Sequence, residues 1–264
     1  MPKFDSHLDP DDLRILWPTL DWPESFGMPR IHYAEVVDST NSWAWSLAFE
    51  QSIPQVFVAH QQTAGRGQWG RTWVSPVGGL YLSLWLPTAP IPPLLLTLVS
   101  AWGIAEYLRQ HRIPVLLKWP NDLVVRGRKL GGIKVEVRPT TSQAAVVIGV
   151  GINGANTILP NALAIQDCLE QTVATLANLA AGVSCGMLGA IARYPQLKSS
   201  GFLARYWELL ETKQRSVTVA GGRGQIIGLT SRGQLRVRLV APGSSAEVVC
   251  EPGDVQIGYP SSIT

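Results

Sequence analysis

Val115-Leu-Leu-Lys-Trp-Pro-Asn-Asp-Leu-Val-Val-Arg-Gly-Arg-Lys-Leu-Gly-Gly-Ile-Lys-Val-Glu-Val137 sets the architecture of this chain. Two short apolar runs, Val115–Trp119 and Asp122–Arg126, flank a Pro120-Asn121 turn. Arg126-Gly127-Arg128 is a tight turn into a third run, Ile133–Val137. Branched aliphatic runs bounded by Pro, Asn and Gly read as successive antiparallel strands. Lys118 sits at the end of a strand that looks buried. A buried lysine without a counter-charge is costly, so it should face an anion. The plainer alternative pairs it with Asp122 or Glu136 and leaves Asn121-Asp122 as turn residues.

The flanking segments extend a sheet with helices. Gln55–Ala59, Leu80–Leu86 and Ala144–Val150 read as strands, the second buried on both faces by its near-continuous apolar character. A helix starts near residue 41, after Ser39-Thr40, and Leu94–Arg112 is a helix with Leu95, Leu98, Ala101, Trp102, Ala105 and Leu108 on one stripe. Residues 160–212 read as mostly helical, ending with Phe202–Thr212. From Ser216 to Ile257 the pattern changes to short alternating strands, Val217–Val219, Gln225–Leu229, Leu235–Val240 and Glu247–Val249, with glycine-rich turns. That spacing predicts a small β-barrel of about 45 residues. Residues 1–30 carry five prolines and no sustained period, so residues 1–35 read as an extension with room for one short helix. The expected organisation is α+β: extension 1–35, catalytic domain 36–213, barrel 214–264.

Composition narrows the classes. The chain has 264 residues, 46% hydrophobic and 16% charged, which is globular and not disordered. A net charge of +3 is weak for a dedicated nucleic-acid binder. Cys168, Cys185 and Cys250 form no CxxC pair, and the histidines lack metal-ligand spacing, so the thiols read as reduced and no zinc site is expected. The N-terminus has no apolar h-region, and four prolines break the apolar stretch Leu80–Ala105. No membrane association and a cytoplasmic setting are expected.

Three further stretches carry chemistry. Gln62-Thr-Ala-Gly-Arg-Gly-Gln-Trp-Gly-Arg71 formally matches G-x-G-x-x-G, but it runs on into a strand, and no Asp or Glu occurs from Arg71 to Ala105. A dinucleotide site would need a helix there and an acidic residue about 20 positions on. What remains is two arginines among glycines, suited to carboxylate or phosphate oxygens and to loop closure. A solvated basic hairpin or an RNA-contacting Arg-Gly loop fits the same residues. Asp38-Ser-Thr-Asn41 is either a capped helix start or a set of hydroxyl and amide groups for a small polar head group. Gly149-Val-Gly-Ile-Asn153 ends a strand in glycines with one amide side chain.

Together with Lys129-Leu-Gly-Gly-Ile133, these motifs, in this order and spacing, make the chain resemble the biotin–protein ligases over roughly residues 36–260. The resemblance implies a mixed sheet related to class II aminoacyl-tRNA synthetases, followed by an SH3-like barrel. It implies that Ser39, Thr40, Asn41, Gln62, Gly65, Arg66, Gly67, Gln68, Lys118 and Gly132 surround biotin. Arg66, Arg71, Trp73, Asn121, Lys129, Gly131 and Asn153 would surround ATP. Lys118 and Arg66 would serve the chemical step, with Mg²⁺ bridging phosphates. The implied reaction forms biotinyl-5'-AMP and then biotinylates a lysine of the biotin carboxyl carrier protein of acetyl-CoA carboxylase. Two departures stand out. The family loop commonly reads Gly-Arg-Gly-Arg, whereas Gln68 takes the second arginine's place, so weaker adenylate retention is expected. About 35 residues precede the core, which implies a monofunctional ligase with no DNA partner; a homodimer is left open. A lipoate–protein ligase is the nearest alternative, and a non-enzymatic RNA-binding module is the alternative from another class.

Overall fold

The computed structural model describes residues 4–47, 52–139, 144–156, 158–169, 175–219, 222–239, 246–255 and 257–258. Its main sheet has seven strands in the spatial order β1 (Arg30–Val37), β2 (Gln55–Gln62), β3 (Leu80–Leu86), β7 (Ala144–Ile152), β6 (Arg128–Pro139), β5 (Asp122–Val125) and β4 (Leu116–Lys118). The β1–β2 pair is parallel, and the remaining pairs are antiparallel, so the sheet is mixed as expected. The hairpin ladder expected between Val115 and Val137 is β4–β5–β6. Its Arg126-Gly127 turn has positive φ at both residues, 51° and 72°, as a two-residue hairpin turn requires.

Period-two alternation gives the sheet two distinct faces. Val56 and Val58 of β2, Leu80, Leu82 and Leu84 of β3, and Val146, Ile148 and Val150 of β7 enter the large core. That core is completed by α3 (Pro93–Gln110) and α4 (Leu176–Leu209). Phe57, Trp85, Ala145 and Val147 point the other way and pack with Ala44 and Trp45 of α2 (Thr40–Leu47). α4 has the length and composition of a membrane-crossing helix, but 67% of its most apolar window is buried. It breaks at Lys198, where φ is 54°, three residues after Pro195.

Two features differ from expectation. The 35/36 boundary falls inside β1, and the residues before it are packed: Phe4, Leu8, Leu13 and Trp17 are buried in the large core, with α1 at Pro10–Leu16. Trp17 Nε1 donates to Pro29 O at 2.8 Å. β1 escaped the sequence reading because it is an edge strand, exposed or half-buried along its length, and lacks a continuous apolar run. Residues 160–169 are not part of the long helix, which begins at Leu176, and residues 170–174 of the expected helical stretch lie outside the described residues. Leu163 N instead donates to Lys129 O at 2.8 Å and Ile165 N to Asn153 O at 2.9 Å, so this backbone is satisfied by pairing with β6 and the end of β7.

The small C-terminal sheet is present, in the order β11 (Glu247–Cys250), β10 (Leu235–Leu239), β9 (Gly222–Leu229) and β8 (Ser216–Val219), all antiparallel. The last residue of the expected Leu235–Val240 strand lies outside the described residues. Trp119 Nε1 donates to Gly233 O at 2.9 Å, tying the end of β4 to the turn before β10.

α3 and α4 approach through Gly103 and Gly186. A Cβ on Gly103 would lie 2.3 Å from Gly186 O. Gly103→Ala should therefore cost about 2 kcal/mol by overpacking, read as a lower midpoint in chemical denaturation. An unchanged midpoint would show that the helices separate freely.

Candidate active site

A cleft of about 850 Å³ opens on the α2 face of the main sheet. Alternation explains its walls. The side chains that leave the large core on this face are Lys118 of β4, Asp122 of β5, Gly132 and Lys134 of β6, and Gly149 and Gly151 of β7. Ser39, Thr40 and Asn41 enter from the start of α2, and Gln62 ends β2. The 62–75 loop folds over the mouth, stitched by Gln62–Ser75 and Arg66–Thr72 bridges. Arg66, Gly67, Gln68, Arg71 and Trp73 of this loop line the cleft, as does Asn121 from the β4–β5 turn.

Thirteen of the sixteen expected site residues thus share one cavity, and three stand behind its wall. Gly65 lies under the loop, where a Cβ would meet Trp73 O at 2.4 Å. Gly131 packs on Gly151, whose carbonyl a Cβ would approach to 2.6 Å. Asn153 is buried, and its Nδ2 donates to Leu163 O at 3.1 Å, so its amide is engaged with the backbone at Leu163.

Five cationic side chains, Arg66, Arg71, Lys118, Lys129 and Lys134, line the cleft against one carboxylate, Asp122, among the described residues. Asp122 lies between two lysines: Lys129 Nζ is 2.6 Å from Oδ1, and Lys118 Nζ is 3.9 Å from Oδ2. Lys118 is only 7% exposed. Burial pushes its ammonium down from the ordinary 10.5 to about 8; Asp122 opposes this, and Lys129 adds to it. The unfolded chain keeps that proton up to higher pH, so this group's contribution to stability rises as pH climbs from about 8 to 10.5. Below that window the buried ammonium is a strain that a bound anion would offset.

The opposite end of the cleft is neutral. Gln62 Oε1 accepts from Thr40 N at 2.8 Å, and Gln62 Nε2 donates to Ser75 Oγ at 2.8 Å. Ser83 Oγ lies 2.8 Å from Thr40 Oγ1 and 2.7 Å from Asn41 Oδ1. Two buried donors have no hydrogen-bond partner among the described residues: Asn41 Nδ2 in this neutral cluster, and Trp73 Nε1, whose ring centroid lies 5.3 Å from Lys129 Nζ on the cationic side. An unsatisfied buried donor costs about 1–3 kcal/mol, which a ligand acceptor would recover. The two glycines of the Gly149-Val-Gly motif make room for both groups. A Cβ on Gly149 would fall 2.1 Å from Asn41 Oδ1, and one on Gly151 would fall 2.4 Å from Trp73 Nε1.

The sequence reading missed several wall residues: Trp69, Leu159, Lys134 and, from the C-terminal segment, Pro252, Gly253, Val255, Ile257 and Gly258. Lys134 was legible in principle, since it lies two residues from Gly132 on one strand face. The C-terminal residues carry no local signal for a site over 100 positions away.

Proteins of known kind share this chain's pattern. The biotin/lipoate A/B protein ligase family model matches residues 33–153, which hold β2 to β7 and all four motifs. The bifunctional ligase/repressor BirA of Bacillus subtilis is 32% identical over 225 residues, covering 77% of this chain and 67% of that protein. The chain belongs to this ligase family. The bifunctional ligase/repressor BirA of Salmonella typhimurium is 37% identical over 207 residues, covering 75% of this chain and 64% of that protein. This member therefore spans less than two thirds of the Salmonella protein's length. The biotin protein ligase from Aquifex aeolicus in complex with biotin and ATP has the same fold, with a TM-score of 0.64 at 24% identity over 87% of this chain and 99% of that one.

An NMR titration of isotopically labelled lysine should show one resonance titrating near pH 8, absent from Lys118→Met. If every lysine resonance titrates above pH 10, the described burial of Lys118 is incorrect.

Proposed function

We propose that this chain is an ATP-dependent biotin–protein ligase. The observation that carries the reading is the shared cavity: a cationic end built on Lys118 and Lys129, with the orphan donor of Trp73 beside Lys129, and a neutral cluster of Ser39, Thr40, Asn41 and Gln62 with the orphan donor of Asn41, under one glycine-rich loop. The neutral end suits an uncharged polar ring. The cationic end suits a carboxylate beside a triphosphate. A biotin carboxylate oxygen attacks the α-phosphorus of ATP, forming the mixed anhydride and releasing pyrophosphate. Lys118 stands at the joined oxygens, where charge accumulates, and Arg66 and Arg71 meet the remaining phosphate oxygens. A neutral lysine amine of the acceptor protein then attacks the acyl carbon, AMP departs, and the amide forms with loss of the amine proton.

Closure of the 62–75 loop excludes water from the anhydride. Mg²⁺ would travel on the phosphates that ATP brings, since no group of three metal-ligating side chains occurs among the described residues. The acceptor we assign is the biotin carboxyl carrier protein of acetyl-CoA carboxylase, and the setting we assign is the cytoplasm. Three free cysteines suit a reducing compartment.

Incubation with labelled biotin, ATP and the carrier domain should give covalent label on the carrier, and pyrophosphate exchange should depend on biotin and not on lipoate. Exchange driven equally by lipoate would redirect the assignment to the acid rather than to the chemistry. Lys118→Ala should slow exchange about 100-fold. In the wild-type chain kcat/KM should fall as pH rises past about 8, because the free enzyme loses the Lys118 proton there. Lys118→Arg should flatten that limb; a limb of unchanged position would assign the titration to another group.

A further inference from the structure

The family pattern places a second arginine where this chain has Gln68, yet the loop is held down from another direction. β6 presents Gly132, Lys134, Glu136 and Arg138 on the cleft face at alternate positions. Lys134 Nζ donates to Gly67 O at 2.9 Å, at the centre of the Gly-Arg loop. The same ammonium lies 3.6 Å from Glu136 Oε1, and its side chain is 26% exposed. Glu136 is itself fixed, because Trp45 Nε1 of α2 donates to its Oε2 at 2.9 Å. Its Oε1 also lies 3.4 Å from Arg66 Nη2, in the loop beside Gly67. Gln68 Nε2 stands 3.5 Å from Ile133 O, a far weaker contact than the Lys134 bond. Arg138 stacks over Trp45 at 4.5 Å, so the ring that orients Glu136 is packed from both sides.

An ammonium has three donors. Gly67 O takes one, Glu136 Oε1 stands by as an ion-pair partner at 3.6 Å, and Lys134 also lines the cavity. We propose that Lys134 is the positioning residue that ties the Gly65–Gly70 loop down over the acyl-adenylate, with Glu136 aiming it, and that it supplies the retention Gln68 does not. The inference rests on the adenylation reading. Because the tie runs to a backbone carbonyl, it holds the loop whatever side chain occupies position 68. Because Glu136 also reaches Arg66, one carboxylate aligns two loop contacts at once.

The test uses the full chain as wild type, Lys134→Met, Lys134→Arg and Glu136→Gln. Lys134→Met keeps the apolar stem and removes the donor. Glu136→Gln keeps the acceptor for Trp45 and removes the charge. Two quantities are read: the release rate of labelled biotinyl-adenylate made in place from biotin and ATP, and trypsin cleavage after Arg66 and Arg71 in the ligand-free protein. Lys134→Met should release adenylate about tenfold faster and be cut faster in the loop. KM for biotin should rise more than kcat falls. Lys134→Arg should recover most of the retention, and Glu136→Gln should fall between. Wild-type release and cleavage rates in both Lys134→Met and Glu136→Gln would overturn the proposal. If the wild-type chain makes no adenylate, the ligase reading itself fails, and equal loop cleavage in all four proteins would then sink the tie independently.

Discussion

One carboxylate placed between two ammonium groups is the constraint on which the site depends. Asp122 is the direct cross-strand partner of Lys118 in β4 and of Gly132 in β6. It meets Lys129 at 2.6 Å and Lys118 at 3.9 Å in a wall with little solvent. Coulombic interactions gain strength as water is withdrawn, and so does the cost of an uncompensated charge. Two cations with one counter-charge leave the wall electropositive, which is the state a polyanionic ligand needs. The register enforces this: a slip of one residue would turn Lys118 into the large core and Leu117 into the cleft.

Space on the other wall is made by removing side chains. Gly149 and Gly151 lie on the same face of β7, and each clears the position taken by a polar group from elsewhere, Asn41 and Trp73. The price is a pair of buried donors without protein acceptors. Such groups are tolerated where a ligand completes them. The cleft therefore combines two kinds of incompleteness, an excess of positive charge around Lys118 and Lys129 and two unmet donors, one beside Lys129 and one in the neutral cluster at Asn41. The loop over its mouth is held by backbone bridges and by Lys134, so closure does not depend on loop side chains alone.

Much of this was legible from residues. β3 occupies Leu80–Leu86, the seven residues its apolar run marked, because a strand buried on both faces leaves a continuous signal. The β5–β6 hairpin followed from Arg126-Gly127, where local turn chemistry is strong. β1 was not legible, since an edge strand needs no apolar run. Residues 160–169 misled because Leu163, Ile165 and Gln166 pair with backbone of distant segments, a contact that no local period encodes. Lys134 and Glu136 looked like ordinary polar residues of a strand, and their value appears only once α2 and the Gly-Arg loop are seen beside them.

The sequence alone determined the local events: where strands run, which turns are tight, which side chains alternate to which face, and that a lysine sits at the end of a buried strand. These depend on neighbours within a few positions. The tertiary structure decided which of those ends converge. It brought Asn41, Gln62, Arg66, Lys118, Gly132 and Gly149, from five separate segments, to one cavity and added Pro252, Val255 and Ile257 to its wall. Charge and hydrogen-bonding power act through space over a few ångströms, so a site exists only after packing has made distant segments adjacent.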